Sequence, residues 1–363
     1  MSIHWDKTRK KYYVKYSVNG KQTTSKRFET KHEAQLFESK FIISSNTESC
    51  DIYFKDMAEE YLETLKKESS FLTYKKCKIA MDKIIIPNIK NKKMKDYTDL
   101  DCKFFRERIG DSEYSTTYKN YILNKFKAVF KYADQWYKLE KNPTMRLTNF
   151  KKSFEEKMRI KKKENEIWND EEFNLFINCV DKATYRLFYI LLYYTGMRLG
   201  ELLAITWNDY KNNYLAVYKS IPKQTENGKL VPKETKNTAS IRNVSLPDSI
   251  CKLLDEYKDL EILQPGFTND WYIFGRNEPL PRTNINRFKD EAIKKSGVKR
   301  ITIHEFRHSH ASNLINNKMS IIGVSRRLGH ADVNMTLKVY AHLFKESDDE
   351  IINYLETKSK HIG

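Results

Sequence analysis

Cysteine is scarce in this chain and badly placed for structural work. The five residues, Cys50, Cys77, Cys102, Cys179 and Cys251, are scattered and odd in number, and no two stand as CxxC. That pattern excludes a disulfide framework or a zinc ribbon and points to a reducing compartment. Long apolar runs are missing as well. The longest, LFYILLYY at 187–194, falls far short of the roughly 20 residues that a bilayer-spanning helix needs. The amino terminus, MSIHWDKTRKK, is charged from its start and lacks the apolar core of a secretory signal. No internal repeats occur, and no low-complexity tract beyond one charged stretch. These absences predict a soluble, intracellular protein with no membrane partner.

Acidic residues are also in short supply. Asp and Glu number 48 against 66 Lys and Arg, a formal charge of +18. Such an excess suits a polyanionic partner, nucleic acid being the commonest. A lysine-rich surface with no specific partner gives the same total, so charge alone does not decide. At 363 residues the chain is long enough for two or three domains.

Three blocks are predicted. In the first, 1–49, Val14, Tyr16 and Val18 alternate with Lys15 and Ser17, the period of a half-buried strand. Asn19-Gly20 is a hairpin signal, and a second strand is predicted around Thr23 to Phe28. Thr30 and Glu33 read as a capping box for a helix through Ala34, Phe37 and Phe41. Lys7, Arg9, Lys10, Lys11, Lys15, Lys21, Lys26 and Arg27 crowd this block. They suit DNA contact, but equally an edge strand protected from aggregation. The second block, 50–150, is helical. Phe54, Met57, Ala58, Tyr61, Leu62 and Leu65 recur at helical spacing, as do Tyr118, Ile122, Phe126, Val129, Ala133 and Trp136. Both stripes are read as core, with Pro87 and Pro143 at helix ends. Residues 151–166, KKSFEEKMRIKKKENE, have the composition of an extended, flexible linker. The third block, 167–345, mixes helices with a small sheet. A helix is predicted over Ala183 to Tyr194, strands over Tyr214 to Ile221 and Ser240 to Leu246, and helices from Thr302 onward. A tail, 346–363, carries the apolar residues Ile351, Ile352, Tyr354 and Leu355 after an acidic run.

The third block also collects residues with a common chemical use. Arg198 lies in YYTGMRLGELLAITW, Lys236 in KETKNTASIRNVSLP, His304 and Arg307 in ITIHEFRHSHAS, and His330 and Tyr340 in SRRLGHADVNMTLKVYAHL. Attack on a phosphodiester loads negative charge onto its non-bridging oxygens, which two arginine forks can stabilise. A tyrosine hydroxyl as nucleophile preserves the phosphodiester energy in a covalent phosphotyrosine. Its proton must be drawn off by a neighbour such as histidine, because a free phenol ionises only near pH 10. A lysine can protonate the departing oxygen. No Asp/Glu cluster suited to paired metal ions stands out. Lys229, Lys233 and Lys236 share one inter-strand segment, and the T-K-x-x-x-S-x-R-x-V context favours Lys236.

TGMRLGELLAITW, HEFRHSHAS and LGHADVNMTLKVYAH together resemble the three boxes of the tyrosine recombinases, or phage integrases. The resemblance covers the third block, and the first two fit in outline. It implies Arg198, Lys236, His304, Arg307, His330 and Tyr340 as the catalytic set, with Glu201 accessory. His308, His310 and His342 fall beside the family positions and read as packing or supporting residues. The implied fold is multidomain and mainly α with small β-sheets. It comprises a three-stranded sheet plus helix, a helical core-site binding domain and a mixed α/β catalytic domain. The implied reaction is strand cleavage by Tyr340, with a 3′-phosphotyrosine and a Holliday junction, without metal or other cofactor. His304 assists proton transfer at the tyrosine, and Lys236 serves the leaving oxygen. Implied partners are double-stranded DNA at core and arm sites, three further protomers, and an excision or DNA-bending factor. The first block resembles the arm-binding domain of integrases from phages and conjugative transposons, so the setting is the bacterial cytoplasm, at the nucleoid. A type IB topoisomerase uses the same chemistry without strand exchange, and a catalytically silent DNA-binding protein is the other alternative. The arm-like block speaks against the first and the intact residue set against the second.

Overall fold

The computed structural model describes residues 2–6, 8–18, 21–31, 33, 34, 37, 50–164, 167–224, 230–234, 240–340 and 347–359. Two compact units divide the chain, 1–153 and 154–363.

In the first unit, β1 (Ser2–Asp6), β2 (Lys11–Val18) and β3 (Lys21–Thr24) form an antiparallel sheet in that order. Ile3 pairs with Val14, and Lys15 with Thr24. Alternation turns Val14 inward, where Phe28 and Ala34 are buried with it, and leaves Lys15 exposed. The predicted second strand is shorter than expected. It ends at Thr24, and Phe28 rejoins the sheet through backbone bonds to Tyr12 of 2.9 and 2.7 Å. The capping box is present: Thr30 N donates to Glu33, and Glu33 N to the Thr30 hydroxyl, both at 3.2 Å. Asn19, Gly20 and Phe41 lie outside the described residues.

The rest of this unit is helical, with α1 (Phe54–Glu68), α2 (Phe71–Ala80), α3 (Asp99–Gly110) and α4 (Thr116–Tyr137). Phe54, Met57, Ala58 and Leu62 are buried against Ile122, Phe126, Val129 and Ala133, as their 3.6-residue periods require. Trp136, read as part of that stripe, is 43% exposed. It falls on the last turn of α4, beyond the buried layer, with its ring 6.5 Å from that of Tyr132.

Residues 154–164 depart from the expected extended linker and form α5 (Phe154–Glu164). Glu155 and Glu156 open it and Lys161 to Lys163 close it. Glu155 and Glu156 in the first turn complement the helix dipole.

The second unit continues with α6 (Asp170–Asn178), α7 (Ala183–Thr195) and α8 (Leu199–Ala204). The short strands β4 (Tyr210–Lys211), β5 (Tyr214–Val217), β6 (Lys219–Ser220), β7 (Lys233–Glu234) and β8 (Arg242–Ser245) follow. The predicted strand over Tyr214 to Ile221 is thus two strands with different partners. β5 lies between β4 and β8, and β6 pairs with β7. The chain swings toward α8 because Ile221 N donates to Gly200 O at 2.8 Å, while Lys219 Nζ sits 2.8 Å from Asp209. The helices α9 (Asp248–Ile262), α10 (Arg282–Ser296), α11 (Ile303–Asn316), α12 (Ile321–Leu328) and α13 (Val333–Tyr340) follow. α14 (Ser347–Ser359) lies in the tail, where Ile352, Tyr354 and Leu355 are exposed. An aromatic core of Trp168, Phe176, Tyr189 and Phe306 ties α6 and α7 to α11. This core fixes the helix that carries His304, Arg307 and His308.

Candidate active site

α7 ends at Gly196, whose backbone adopts φ 63°, the left-handed conformation that glycine takes at least cost. A Cβ there would also lie 2.6 Å from the His310 ring. The reversal places Arg198 at the start of α8, its backbone N donating to Glu201 Oε2 at 3.0 Å. Its guanidinium donates to Glu201 Oε1 at 2.7 Å. Glu201 is only 1% exposed, and its other oxygen accepts from Arg242 Nη2 at 2.9 Å. Burial opposes the charge on Glu201, but Arg242 and then Arg198 outweigh it and hold the carboxyl below its usual range. Arg242 comes from β8 and also donates to Arg327 O at 2.7 Å and Ser240 O at 3.1 Å.

Glu201 therefore serves as counter-charge to two arginines. Removing one member of such a buried group leaves the others uncompensated. Glu201→Ala is expected to lower stability by about 3 kcal/mol, measured by denaturant unfolding. A loss well under ~1 kcal/mol would mean that water already neutralises the two arginines.

α11 opens on a capping box between Thr302 and Glu305, which sets the phase of the helix. His304, Arg307 and His308 then fall on one face at i, i+3 and i+4, while Phe306 and Ser309 turn into the core. Arg307 is 4% exposed and donates through Nη1 to Gly196 O at 2.9 Å. Its Nη2 is buried and, among the described residues, has no hydrogen-bond partner. Burial, and then the nearby Arg198, push its pKa down to about 9. His304 is exposed on the first turn, yet desolvation, followed by His308, Arg307 and Arg198, holds its ring toward the neutral form.

The L-G-H box has a structural reason for its length. Gly329 ends α12 with φ 69°, and any Cβ there would lie 2.9 Å from Arg242 Nη1. His330 occupies the turn, Asp332 accepts from Asn334 N at 2.8 Å, and the eight residues of α13 carry the chain to Tyr340. Thr336, fully buried on α13, bonds His330 Nδ1 at 2.7 Å, which fixes the ring's orientation. Tyr340 is 4% exposed and packs among Ala311, Ile315, Val324 and Leu328. Its hydroxyl meets His308 Nδ1 at 2.9 Å. Burial pushes the phenol up to about 12, with Arg307 working against that rise.

Two histidines give this unit a pH dependence. Burial and the adjacent Arg327 push His310 down to about 3. Burial, then Arg307, Arg198 and Arg242, push His330 down to about 4. In the unfolded chain both titrate near 6.5. Between these values the unfolded state binds more protons, so stability is full above about pH 6.5 and is lost as pH falls through the folded values. The melting temperature is expected to drop by on the order of 5 °C between pH 7.5 and pH 4.5. A flat profile over that range would mean that neither ring is held neutral.

The structure thus brings Arg198, Glu201, Arg307, His304, His330 and Tyr340 into one unit. Lys236 lies outside the described residues, between β7 and β8. Arg242, His308 and Thr336 are members that sequence reasoning passed over. The arginine of S-x-R-x-V served only to locate the lysine, and the histidine after Arg307 was read as a packing or supporting residue. Of the basic residues in the first block, Arg9, Lys10, Lys15 and Lys26 are exposed. Lys11 pairs with Glu29 at 2.6 Å, and Arg27 with Asp6 at 2.9 Å. Lys7 is outside the described residues, and for Lys21 only the backbone, in β3, is described.

Residues 168–347 match the model of the phage integrase family, and residues 53–109 that of the phage integrase N-terminal SAM-like domain. The chain is 27% identical to the ICEBs1 integrase of Bacillus subtilis over 339 residues, 90% of each chain. It is 27% identical to the integrase of Staphylococcus phage L54a over 338 residues, 86% of this chain and 95% of the other. Among solved structures, the Tn1549 transposon integrase in complex with a circular intermediate DNA superposes with a TM-score of 0.65 at 18% identity. That match covers 82% of this chain and 99% of the other. A lambda integrase tetramer bound to a Holliday junction gives 0.55 at 16% identity, over 91% and 95% of the chains.

Proposed function

The chain belongs to the phage integrase family of tyrosine recombinases, and on that footing we propose how this site-specific DNA recombinase distributes its chemistry. Tyr340 attacks the scissile phosphate, giving a 3′-phosphotyrosine and a free 5′ hydroxyl. Arg198 and Arg307 hold the non-bridging oxygens as negative charge builds there, and His330 donates to the same oxygens from its free ring nitrogen. Glu201 and Arg242 position Arg198. Lys236 protonates the departing 5′ oxygen, a role that rests on the family pattern.

One observation carries this reading: the unpartnered Nη2 of a buried Arg307. A guanidinium that is 4% exposed and lacks a carboxylate of its own is costly in a folded protein. A phosphate oxygen supplies the missing acceptor and the opposite charge together.

The likeness to integrases bound to DNA extends the reading to partners. Four protomers act on two duplexes through a Holliday junction. Residues 1–49 engage arm sites through the exposed Arg9, Lys10, Lys15 and Lys26, residues 50–150 the core site, and residues 167–345 the reacting strand. Among the described residues no helix is long and apolar enough to cross a membrane, which is compatible with action at the nucleoid.

The test is covalent trapping. DNA spanning the junction beside the protein's own gene, nicked near the crossover, is incubated with the protein and run under denaturing conditions. A protein–DNA adduct, accompanied on intact sites by branched junctions, is the expected result. Relaxation of supercoils without junctions would identify a type IB topoisomerase instead. Tight binding with no adduct would identify a silent DNA-binding protein.

A further inference from the structure

We propose that Lys219, through its buried ion pair with Asp209, anchors the root of the β6–β7 ribbon and so positions Lys236, the leaving-group donor, relative to Arg198. The inference rests on the reading of Lys236 given above. Lys219 is on this account a positioning residue, acting through another side chain.

The ribbon needs an anchor because it cannot hold itself. β6 and β7 contribute two residues each, Lys219 pairing with Glu234 and Ser220 with Lys233. So short a pair of strands has little stability of its own in water. Three contacts at β6 supply what is missing. Lys219 Nζ lies 2.8 Å from Asp209 Oδ2, with the two side chains 16% and 3% exposed. The same oxygen accepts from the backbone N and the hydroxyl of Thr206, both at 2.8 Å. Next to this pair, Ile221 N donates to Gly200 O at 2.8 Å. A Cβ at position 200 would lie 2.5 Å from Ser220 Oγ and 2.6 Å from Ile221 O, so glycine is what lets the strand approach α8 this closely. Finally, Arg282 at the start of α10 donates through Nη2 to Ile221 O at 2.9 Å.

The chemistry of the anchor suits positioning. Burial opposes the charge on both partners, yet Lys219 and Thr206 hold the Asp209 carboxyl below its usual range, and Asp209 holds the lysine above its own. A buried ion pair adds little net stability over apolar residues of the same size, but it is satisfied in one geometry only. A slip of one residue would turn Lys219 to the opposite face of the strand and leave both charges unpaired.

The chain carries this position to the site. Lys236 follows Glu234, the register partner of Lys219, by two residues. At about 3.5 Å per residue, the Lys236 Cα stays within roughly 7 Å of that of Glu234. At the other end, Gly200 stands two residues beyond Arg198. The anchor therefore joins the arginine at the non-bridging oxygens to the lysine at the leaving oxygen by a short path of backbone.

The experiment compares two forms of the nicked trapping DNA, one of which carries sulfur in place of the bridging 5′ oxygen at the scissile phosphate. On ordinary DNA the P–O5′ bond breaks and the oxygen takes a proton from Lys236. On the sulfur-bridged DNA the P–S bond breaks and the thiolate leaves without a proton, since thiols ionise at about pH 8.5. Lys219→Met is expected to form adduct about 10²-fold more slowly than the parent on ordinary DNA, and within ~3-fold of it on sulfur-bridged DNA. A general loss of structure or DNA affinity would slow both substrates alike. If Lys219→Met does not fold, Arg282→Met, which removes one bond at the same root, is read in the same assay with the same outcomes. A folded variant that is as fast as the parent on ordinary DNA, or equally slow on both substrates, overturns the proposal. Lys236→Ala run alongside separates the two levels. Sulfur that relieves Lys236→Ala but not Lys219→Met removes only the anchor, whereas sulfur that fails to relieve Lys236→Ala removes the leaving-group reading itself.

Discussion

Tyr340→Phe is expected to abolish the covalent protein–DNA adduct, by at least ~10⁴-fold in rate, while the protein still folds and binds its DNA. The substitution removes one oxygen from a side chain that is otherwise packed among Ala311, Ile315, Val324 and Leu328. The lost hydrogen bond to His308 is worth about 1 kcal/mol in stability, too little to unfold the unit. Melting temperature and gel-shift affinity should therefore stay near the parent values, with only the chemistry gone. An adduct surviving in the variant would require a different nucleophile among the 23 tyrosines. Mapping the modified peptide would then identify it.

Arg307→Gln is expected to combine two changes that a purely structural residue would not. Adduct formation should fall by about 10³-fold, because a fork onto the developing phosphate charge is lost. Thermal stability should stay level or rise. The arginine is buried, one of its nitrogens has no partner, and Arg198 lies close enough to depress its ionisation. Replacing such a charge with a neutral side chain that can still reach the Gly196 carbonyl removes a desolvation cost. Differential scanning calorimetry beside the trapping assay checks both halves. A variant that is inactive and melts several degrees lower would mean that the guanidinium holds the fold together, and its role at the phosphate would then be unproven.

Much of this site was legible before any coordinates, because its chemistry is written in short boxes. TGMR, HEFR and LGH…Y each combine a backbone device with a functional side chain, and the devices can be seen in the letters. Gly196 reverses the chain, Thr302 and Glu305 cap a helix, and Gly329 makes room for Arg242. Four features were not legible. Arg242 belongs to the site only because β8 pairs with β5 and carries it to Glu201, a contact over 41 residues that no local pattern encodes. His308 meets Tyr340 across 32 residues, a contact that no local pattern encodes. The helix at Phe154–Glu164 was misread as an extended linker. Its composition alone resembles that of a disordered tether. The splitting of Tyr214 to Ile221 into two strands had the same origin, since its cause is the long-range hold on Lys219 and Ile221.

The sheltered position of Tyr340 bears on how such an enzyme searches a chromosome without scarring it. A recombinase in transit slides past a vast excess of phosphodiesters, each chemically equivalent to the one it must cut. A side chain that is 4% exposed, at the end of an eight-residue helix, does not meet those phosphates by collision. The end of α13 must first shift, and the apolar contacts around the ring make that shift costly on DNA that offers nothing in return. Fidelity against accidental breaks is then partly a matter of packing: the same side chains that bury the phenol keep the enzyme harmless until a matching site compensates for its release.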